Sequence, residues 1–340
     1  MRKASQSGLQ RRIALIGDTP LGRDFLNGWK SAPEATTMEL VGLISDTDKP
    51  VLIQDLPYLG RLDRLADLTG SHRIEGAVIA NPDLSHEALI NLIEECVRLF
   101  GWVDVHSEKS RVWEKGPATD FHFDIPFVRV RSIPHSPLYR GYKRTLDILA
   151  SGLGLLAVSP LLLTVMALVK ATSPGPVFHI RPRIGIGGKS FLFYKIRSMR
   201  EEAELDPRRR EAVLEHMKNP EAVSGKIVNP DLVTPIGRFI RKWAIDELPQ
   251  LWNVLRGDMS LVGPRPLPPE EYEAQAAWHK RRFEIQPGCT GLWKLYSGSG
   301  STFADTVLYD LYYARNMNPL MDMHILIRTV WLIVKGRADT

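Results

Sequence analysis

The sequence predicts a two-part α/β protein. A parallel-sheet domain comes first, then an apolar helix that enters a membrane and returns, then a compact α+β domain. Three observations carry this. Short apolar runs alternate with helical periods up to Glu108. An uncharged stretch runs from Ile148 to Val169. Beyond it, short strand-like and helix-like pieces are dense in Gly, Pro, Arg, Asp and Glu.

The chain has 340 residues, room for about two domains. Its net charge of +5 and pI near 9.1 suit phosphate-bearing partners or an anionic membrane surface. No dense block of Lys and Arg is interleaved with aromatics, which argues against nucleic acid. Cys96 and Cys289 make no disulfide framework and read as reduced cytoplasmic thiols. The histidines fall in no HExxH or CxxC setting, so no zinc site is indicated. Nothing apolar follows Met1–Gln6, so no signal peptide is read there.

In the first domain, 11–108, strands are expected at Ile13–Gly17, Glu39–Ile44, Gly76–Ala80 and Trp102–Val105. Helices are expected at Pro20–Trp29, Leu62–Leu68 and Ser85–Phe100. This alternation implies βαβ units and a Rossmann-like layout. Its nucleotide signature is weak. Gly17 and Gly22 lack the full GxGxxG spacing, and Arg23-Asp24 stands where a P-loop has Lys-Ser/Thr. Asp46 ends the second strand, where a ribose-binding acid would sit. A structural or regulatory module is the alternative.

Residues 109–140 read as a linker punctuated by Pro117, Pro126, Pro134 and Pro137, with one strand at Ile125–Val130. The apolar helix is expected over 143–170. Its uncharged run of roughly 20 residues could span a bilayer. However, Ser159-Pro160 sits in its middle and predicts a bend or break. Cations flank both ends, with Lys143 and Arg144 before it and Lys170, Arg181 and Arg183 after it, so the positive-inside rule gives no direction. A re-entrant helix in contact with membrane lipid answers both facts. A straight span and a buried core helix are the alternatives.

The third region, within 141–340, carries the chemistry. Arg183–Lys189 reads as a glycine-rich hairpin, and Phe191–Met199 as a strand with Lys195 and Arg197 on one face. Residues 200–220 are charge-rich and read as an exposed helix or lid. Arg238 and Arg241 share a helical face ahead of Asp246 and Glu247. Those two carboxylates stand before a short helix that Pro249 opens and Gly257 ends. A stiff Gly263-Pro264-Arg265-Pro266 loop follows. An acid ahead of a helix is most often a cap. A fixed arginine and a basic strand beside it point instead to phosphate handling. The C-terminal helix, Asp322–Lys335, is too short to span a bilayer and fits either the membrane interface or the core.

From Lys143 onward the sequence resembles the bacterial monotopic polyprenyl-phosphate phosphoglycosyl transferases. About 200 residues carry the resemblance. Its motifs, in family order, are Lys143-Arg144…Asp147, Ser159-Pro160, Gly175–Phe178, Arg183-Ile184-Gly185, Lys195–Met199, Asp246–Val254, Gly257–Pro266 and Pro287–Gly291. The resemblance implies transfer of a sugar-1-phosphate from a UDP-sugar to undecaprenyl phosphate, releasing UMP. It implies Asp246 as nucleophile and Glu247 as metal ligand or proton acceptor. Asp246 and Glu247 would hold Mg²⁺, while Lys195, Arg197, Arg241 and Arg265 would contact phosphate. It further implies the cytoplasmic face of the bacterial inner membrane, downstream glycosyltransferases as partners, and a possible homodimer. The first domain resembles the CoA-binding-like module of larger members. Those usually carry four transmembrane helices ahead of it. No such run precedes Arg11 in this sequence, so the chain is either a shorter form or part of a longer one.

The sequence also departs from the family pattern. Many members have glutamine where Arg181 and Lys294 stand. Many have Gly-Arg-Ser where this chain has Ser297-Gly298-Ser299-Gly300-Ser301. The difference bears on sugar identity rather than on the chemistry. Two other functions compete. A nicotinamide-dependent oxidoreductase or epimerase would use Tyr139-x-x-x-Lys143. A non-catalytic scaffold for polysaccharide assembly would need no intact acid pair.

Overall fold

The structure is a computed structural model that describes residues 11–30, 38–106, 119–122, 125–131, 137–200, 232–296 and 302–336. It divides into two compact units, Met1–Ile133 and Pro134–Thr340.

The first unit is built on one sheet. Its strands are β1 (Arg11–Ile16), β2 (Met38–Ser45), β3 (Tyr58–Arg61), β4 (Gly76–Ile79), β5 (Trp102–His106), β6 (Thr119–His122) and β7 (Ile125–Arg131). The order is β3-β2-β1-β4-β5-β7-β6. The first five strands are parallel, in doubly wound order. Ile13–Ile16 of β1 and the whole of β4 are unbroken apolar runs because layers cover both faces of a parallel sheet. Helix α1 (Pro20–Lys30) delivers Phe25, Leu26 and Trp29 to a core with Leu15, Leu43 and Val78. Each such side chain stabilises the fold by about 1.5–3 kcal/mol. Helix α2 (Leu65–His72) follows β3, and α3 (His86–Phe100) follows β4. Ser85 caps α3 by accepting the Ala88 N–H, and Gly101 ends it at φ 79°.

The expected linker needs correction. β7 pairs antiparallel with β5, and β6 with β7, so this proline-rich stretch completes the sheet. Residues 107–118 and 132–136 lie outside the described residues.

The first βα turn is occupied by its own side chains. The Asp18 carboxylate accepts the N–H groups of Val51, Leu52 and Ile53 at 2.6, 3.1 and 2.8 Å. Thr19 Oγ1 donates to Ala80 O and accepts from Gly22 N. Gly17 has φ 116°, and a Cβ there would strike Ala80 O; one on Gly22 would strike Gly17 O. Both glycines therefore serve close packing here, while Asp46 stands exposed.

In the second unit, α4 runs unbroken from Pro137 to Thr172 with Pro160 inside it. The helix starts before the expected 143–170 and stays helical through Pro160, so of the expected bend or break the break does not form. Pro160 cannot donate to the Leu156 carbonyl, and Ser159 Oγ donates to it instead at 2.8 Å. The backbone acceptor is satisfied, so the helix continues. Leu149, Leu153, Leu156, Leu161, Leu163 and Leu168 are exposed along it.

Both ends of the apolar run pack within this unit. Near the start, Arg144 donates to Val254 O and Leu255 O at 2.7 and 2.8 Å, capping the end of α6 (Gln250–Arg256). Asp147 Oδ1 accepts from Leu261 N and Ser260 Oγ in β10 (Ser260–Val262). Toward the other end, Val165 and Val169 are buried with Ile196, Ile240 and Ile245.

Strands β8 (Phe178–Ile184) and β9 (Ser190–Ile196) form the expected hairpin. Helix α5 (Pro235–Lys242) precedes the acids. After β10 come α7 (Pro269–Glu273), α8 (Ala277–Lys280), β11 (Gly288–Thr290), α9 (Leu292–Tyr296), α10 (Phe303–Asn316) and α11 (Pro319–Val334). Helix α11 bears out the core expectation for the C-terminus and leaves one apolar side uncovered. Met321, Asp322, Ile325 and Thr329 face the core, while Ile327, Val330, Trp331 and Val334 form an exposed apolar face.

Candidate active site

The acids sit on a tight, strained turn. Thr234 caps α5 by accepting the Gly237 N–H at 2.9 Å. The chain leaves α5 through Ala244, a non-glycine residue at φ 52°. Left-handed backbone costs such a residue about 1–2 kcal/mol. The reversal sets up a 3₁₀ turn, Ile245–Glu247, immediately ahead of α6. Ile245 is driven into the core beside Val165 and Val169, so the acids are anchored directly to the apolar helix. Gly257 ends α6 at φ 93°, as expected. Asn253 ties α6 to β9, accepting from Tyr194 N and donating to Leu192 O.

Lys195 on β9 reaches both acids. Its Nζ lies 2.9 Å from Asp246 Oδ2 and 3.5 Å from Glu247 Oε1. Lys294 on α9 meets Glu247 Oε2 at 2.7 Å. Burial raises the Asp246 carboxyl above the usual carboxylate range, against the pull of Lys195 and Arg241. Burial also works to raise Glu247, but Lys294 and then Lys195 outweigh it and hold that carboxyl at about 2. The two acids therefore differ. Asp246 is desolvated and weakly compensated, and Glu247 is firmly ionised.

Arg265 comes from a loop built on close backbone crossing. β10 and β11 run parallel, with Gly263 N donating to Thr290 O and Gly288 N to Pro264 O. A Cβ on Gly288 would fall on the backbone of Gly263, so the crossing needs glycine. The Arg265 side chain is exposed and lies over the Trp293 ring, 5.3 Å from its centroid. Trp293 Nε1 is fixed in turn by Gly263 O. The Arg265 N–H points to Asp310 on α10, which also binds the buried Arg282.

Among the expected site residues, Asp246, Glu247, Lys195, Arg241 and Arg265 converge; Arg241 and Arg265 act electrostatically on the acids. Arg197 does not join them. It lies just past the end of β9, buried, and donates to Ser173 O, Ser173 Oγ and Pro174 O. It caps the carbonyl end of α4, so its expected phosphate contact is corrected to a structural role. Ser159 and Pro160 lie mid-helix, away from the acids in sequence and on an exposed stretch. Sequence reasoning missed Asn253, Arg282 and Asp310, and gave Lys294 no catalytic part. Residues 200–220 and Ser297–Ser301 fall outside the described residues or largely so.

Tyr139 and Lys143 do come together, but on Asp322. Tyr139 Oη and Lys143 Nζ meet Asp322 Oδ2 at 2.8 and 3.2 Å, and Lys143 also meets Tyr313. The pair fastens α4 to α11. Cys96 and Cys289 are unpaired, and burial pushes the Cys289 thiol up to about 12. Among the described residues no group of three or more His, Cys, Asp or Glu could hold a metal. The carboxylates of Asp246 and Glu247 stand as a pair.

Comparison with known proteins fits this geometry. Over 206 residues the chain is 38% identical to an exopolysaccharide production protein, ExoY, of Rhizobium meliloti, covering 58% of this chain and 87% of that protein. Over 330 residues it is 29% identical to a UDP-glucose:undecaprenyl-phosphate glucose-1-phosphate transferase of Klebsiella pneumoniae, covering 95% of this chain and 67% of that one. A UDP-N-acetylgalactosamine-undecaprenyl-phosphate N-acetylgalactosaminephosphotransferase of Aeromonas hydrophila is 35% identical over 211 residues, covering 60% of this chain and 46% of that protein. The exposed, 36-residue α4 is long and apolar enough to cross a membrane, and the chain is membrane-associated. Residues 138–336 match the bacterial sugar transferase family, and the chain belongs to it.

Proposed function

We propose that this protein moves a sugar-1-phosphate from a UDP-sugar to undecaprenyl phosphate, releasing UMP. This would be the first step of exopolysaccharide, O-antigen or related glycan assembly, with downstream glycosyltransferases using the product. The observation that carries it is the buried Asp246, met by Lys195 at 2.9 Å, on a turn anchored to an exposed apolar helix.

Asp246 attacks the β-phosphorus, and the pyrophosphate bridge breaks with its electron pair leaving on UMP. An oxygen of undecaprenyl phosphate then attacks the phosphosugar–aspartyl ester and frees the Asp246 carboxylate. Lys195, Arg241 and Arg265 hold phosphate oxygens where negative charge gathers. The planar fork of arginine grips two such oxygens. Mg²⁺ fits the donor chemistry, since Asp246 and Glu247 offer hard oxygens and this ion is commonly held by one or two carboxylates plus substrate phosphates. When bound, it would screen the charge of the pyrophosphate.

Both ends of the apolar run pack on the same unit, which supports a helix entering and leaving one face of the bilayer. That geometry keeps the acids at the membrane surface, where the lipid phosphate lies. On the cytoplasmic face of the bacterial inner membrane, UDP-sugars reach them directly.

With UDP-sugar, undecaprenyl phosphate and Mg²⁺, Asp246→Asn should abolish UMP release. Full activity in that variant would overturn the assignment. Without lipid acceptor, mass spectrometry should find a phosphosugar adduct on Asp246. A UMP-release screen over UDP-sugars identifies the donor.

A further inference from the structure

The Arg265 side chain is held differently from Arg144, Arg197 and Arg282, each of which is committed to carbonyls or a carboxylate. Among the described residues the Arg265 guanidinium makes no hydrogen bond or ion pair. Its charge acts on Glu247, Glu271 and Asp310 only from beyond ion-pair distance. What it rests on is the half-buried Trp293 ring, 5.3 Å from the centroid. That indole is itself fixed. Its N–H donates to Gly263 O at 3.1 Å, two residues ahead of Arg265. Gly291 makes room for this, since a Cβ there would lie 2.7 Å from the indole. The next residue on α9, Lys294, meets Glu247 at 2.7 Å, so the same short helix is tied to the acid pair. One side chain thus holds the Gly263–Arg265 loop at two points, by its edge and by its face. A ring face attracts a guanidinium and leaves the in-plane N–H donors for another acceptor.

We propose that Trp293 is a positioning residue for the transfer reaction: its indole N–H fixes the loop and its ring face fixes the Arg265 guanidinium, whose in-plane donors are left for the diphosphate. This rests on the reading that Arg265 holds phosphate of a UDP-sugar. Trp293 acts through Arg265 and need not touch the substrate. An unstacked arginine would give up its rotamer freedom at each binding event, whereas a stacked one has already lost most of it. Misplacing a reacting or gripping group by about 1 Å can cost about 100-fold in rate.

The test is a double-mutant cycle on the full chain in lipid nanodiscs with Mg²⁺. Calorimetry reads the affinity for UDP. UMP release reads the rate with a UDP-sugar and undecaprenyl phosphate. Arg265→Ala should lower both about ten-fold or more. Trp293→Leu should lower both about five- to ten-fold. The double variant should be no worse than Arg265→Ala alone. Trp293→Phe keeps a ring face without the N–H and should fall between the unaltered protein and Trp293→Leu. If Trp293→Leu melts low, Trp293→Phe with and without Arg265→Ala repeats the cycle. A merely structural tryptophan would lower both readouts by the same factor whether or not Arg265 is present. Such additive losses, or full function in Trp293→Leu, overturn the proposal alone. Full function in Arg265→Ala overturns it together with the phosphate reading of Arg265.

Discussion

Arg282 Nη1 meets Asp310 Oδ2 at 3.0 Å, with both side chains 1% exposed. Phe283 and Phe303 lie against the same guanidinium. Asp310 also accepts the Arg265 N–H, so this buried pair underlies the loop that presents Arg265. Asp310→Asn should cost about 1–3 kcal/mol, because a side-chain amide keeps only one acceptor oxygen for the buried guanidinium and the Arg265 N–H. Removing both charges, as Arg282→Met with Asp310→Leu, should cost less than Asp310→Asn alone. Chemical denaturation of the two variants beside the unaltered protein checks this.

Asp310 also sets a pH dependence. Burial raises its carboxyl to about 7, against the opposing pull of Arg282. An unfolded aspartate titrates near about 4. The folded state therefore holds the proton more tightly. The stability gained from this is full below about pH 4 and is lost as pH rises through about 7. Denaturation midpoints measured across that window should fall with rising pH in the unaltered protein. The fall should be smaller in Asp310→Asn.

Lys195 and Arg197 should separate cleanly. Lys195→Ala removes a cation from the acids and should lower UMP release about 100-fold or more, with a near-normal melt. Arg197→Ala leaves the carbonyls at the end of α4 without their donor and should destabilise by about 1–3 kcal/mol. The folded fraction of that variant should keep its affinity for UDP.

Ser159 and Pro160 should behave as one device. Ser159→Ala leaves the Leu156 carbonyl without a donor and should lower stability by about 1–3 kcal/mol in nanodiscs. Pro160→Ala restores a backbone N–H, so the double variant should recover most of that loss. Additive effects would show that the hydroxyl does not replace the missing donor.

Local patterns gave the readable parts of this molecule. The alternation of apolar runs and helical periods located the parallel strands, and Gly257 marked the end of α6. The acids ahead of that helix and the proline-bracketed Arg265 were visible for the same reason. The misreadings came from contacts that sequence spacing does not encode. Alternation put Arg197 beside Lys195, but the pleat stops governing side-chain direction at Ile196, where β9 ends. Prolines hid β6 and left the expected strand at Ile125–Val130, which is β7, without a sheet to join, because its partner β5 is known only once the chain is folded. Lys294 meets Glu247 across 47 residues, and Arg282 meets Asp310 across 28. The strain at Ala244 carries no glycine to announce it.

The Asp18 clasp in the first unit has a consequence for ligand competition. Three consecutive amides that could cradle a phosphate already hold a carboxylate from the same chain. Such a tethered occupant acts at an effective concentration on the order of millimolar or higher. Any free anion seeking those amides must outcompete a rival that never diffuses away.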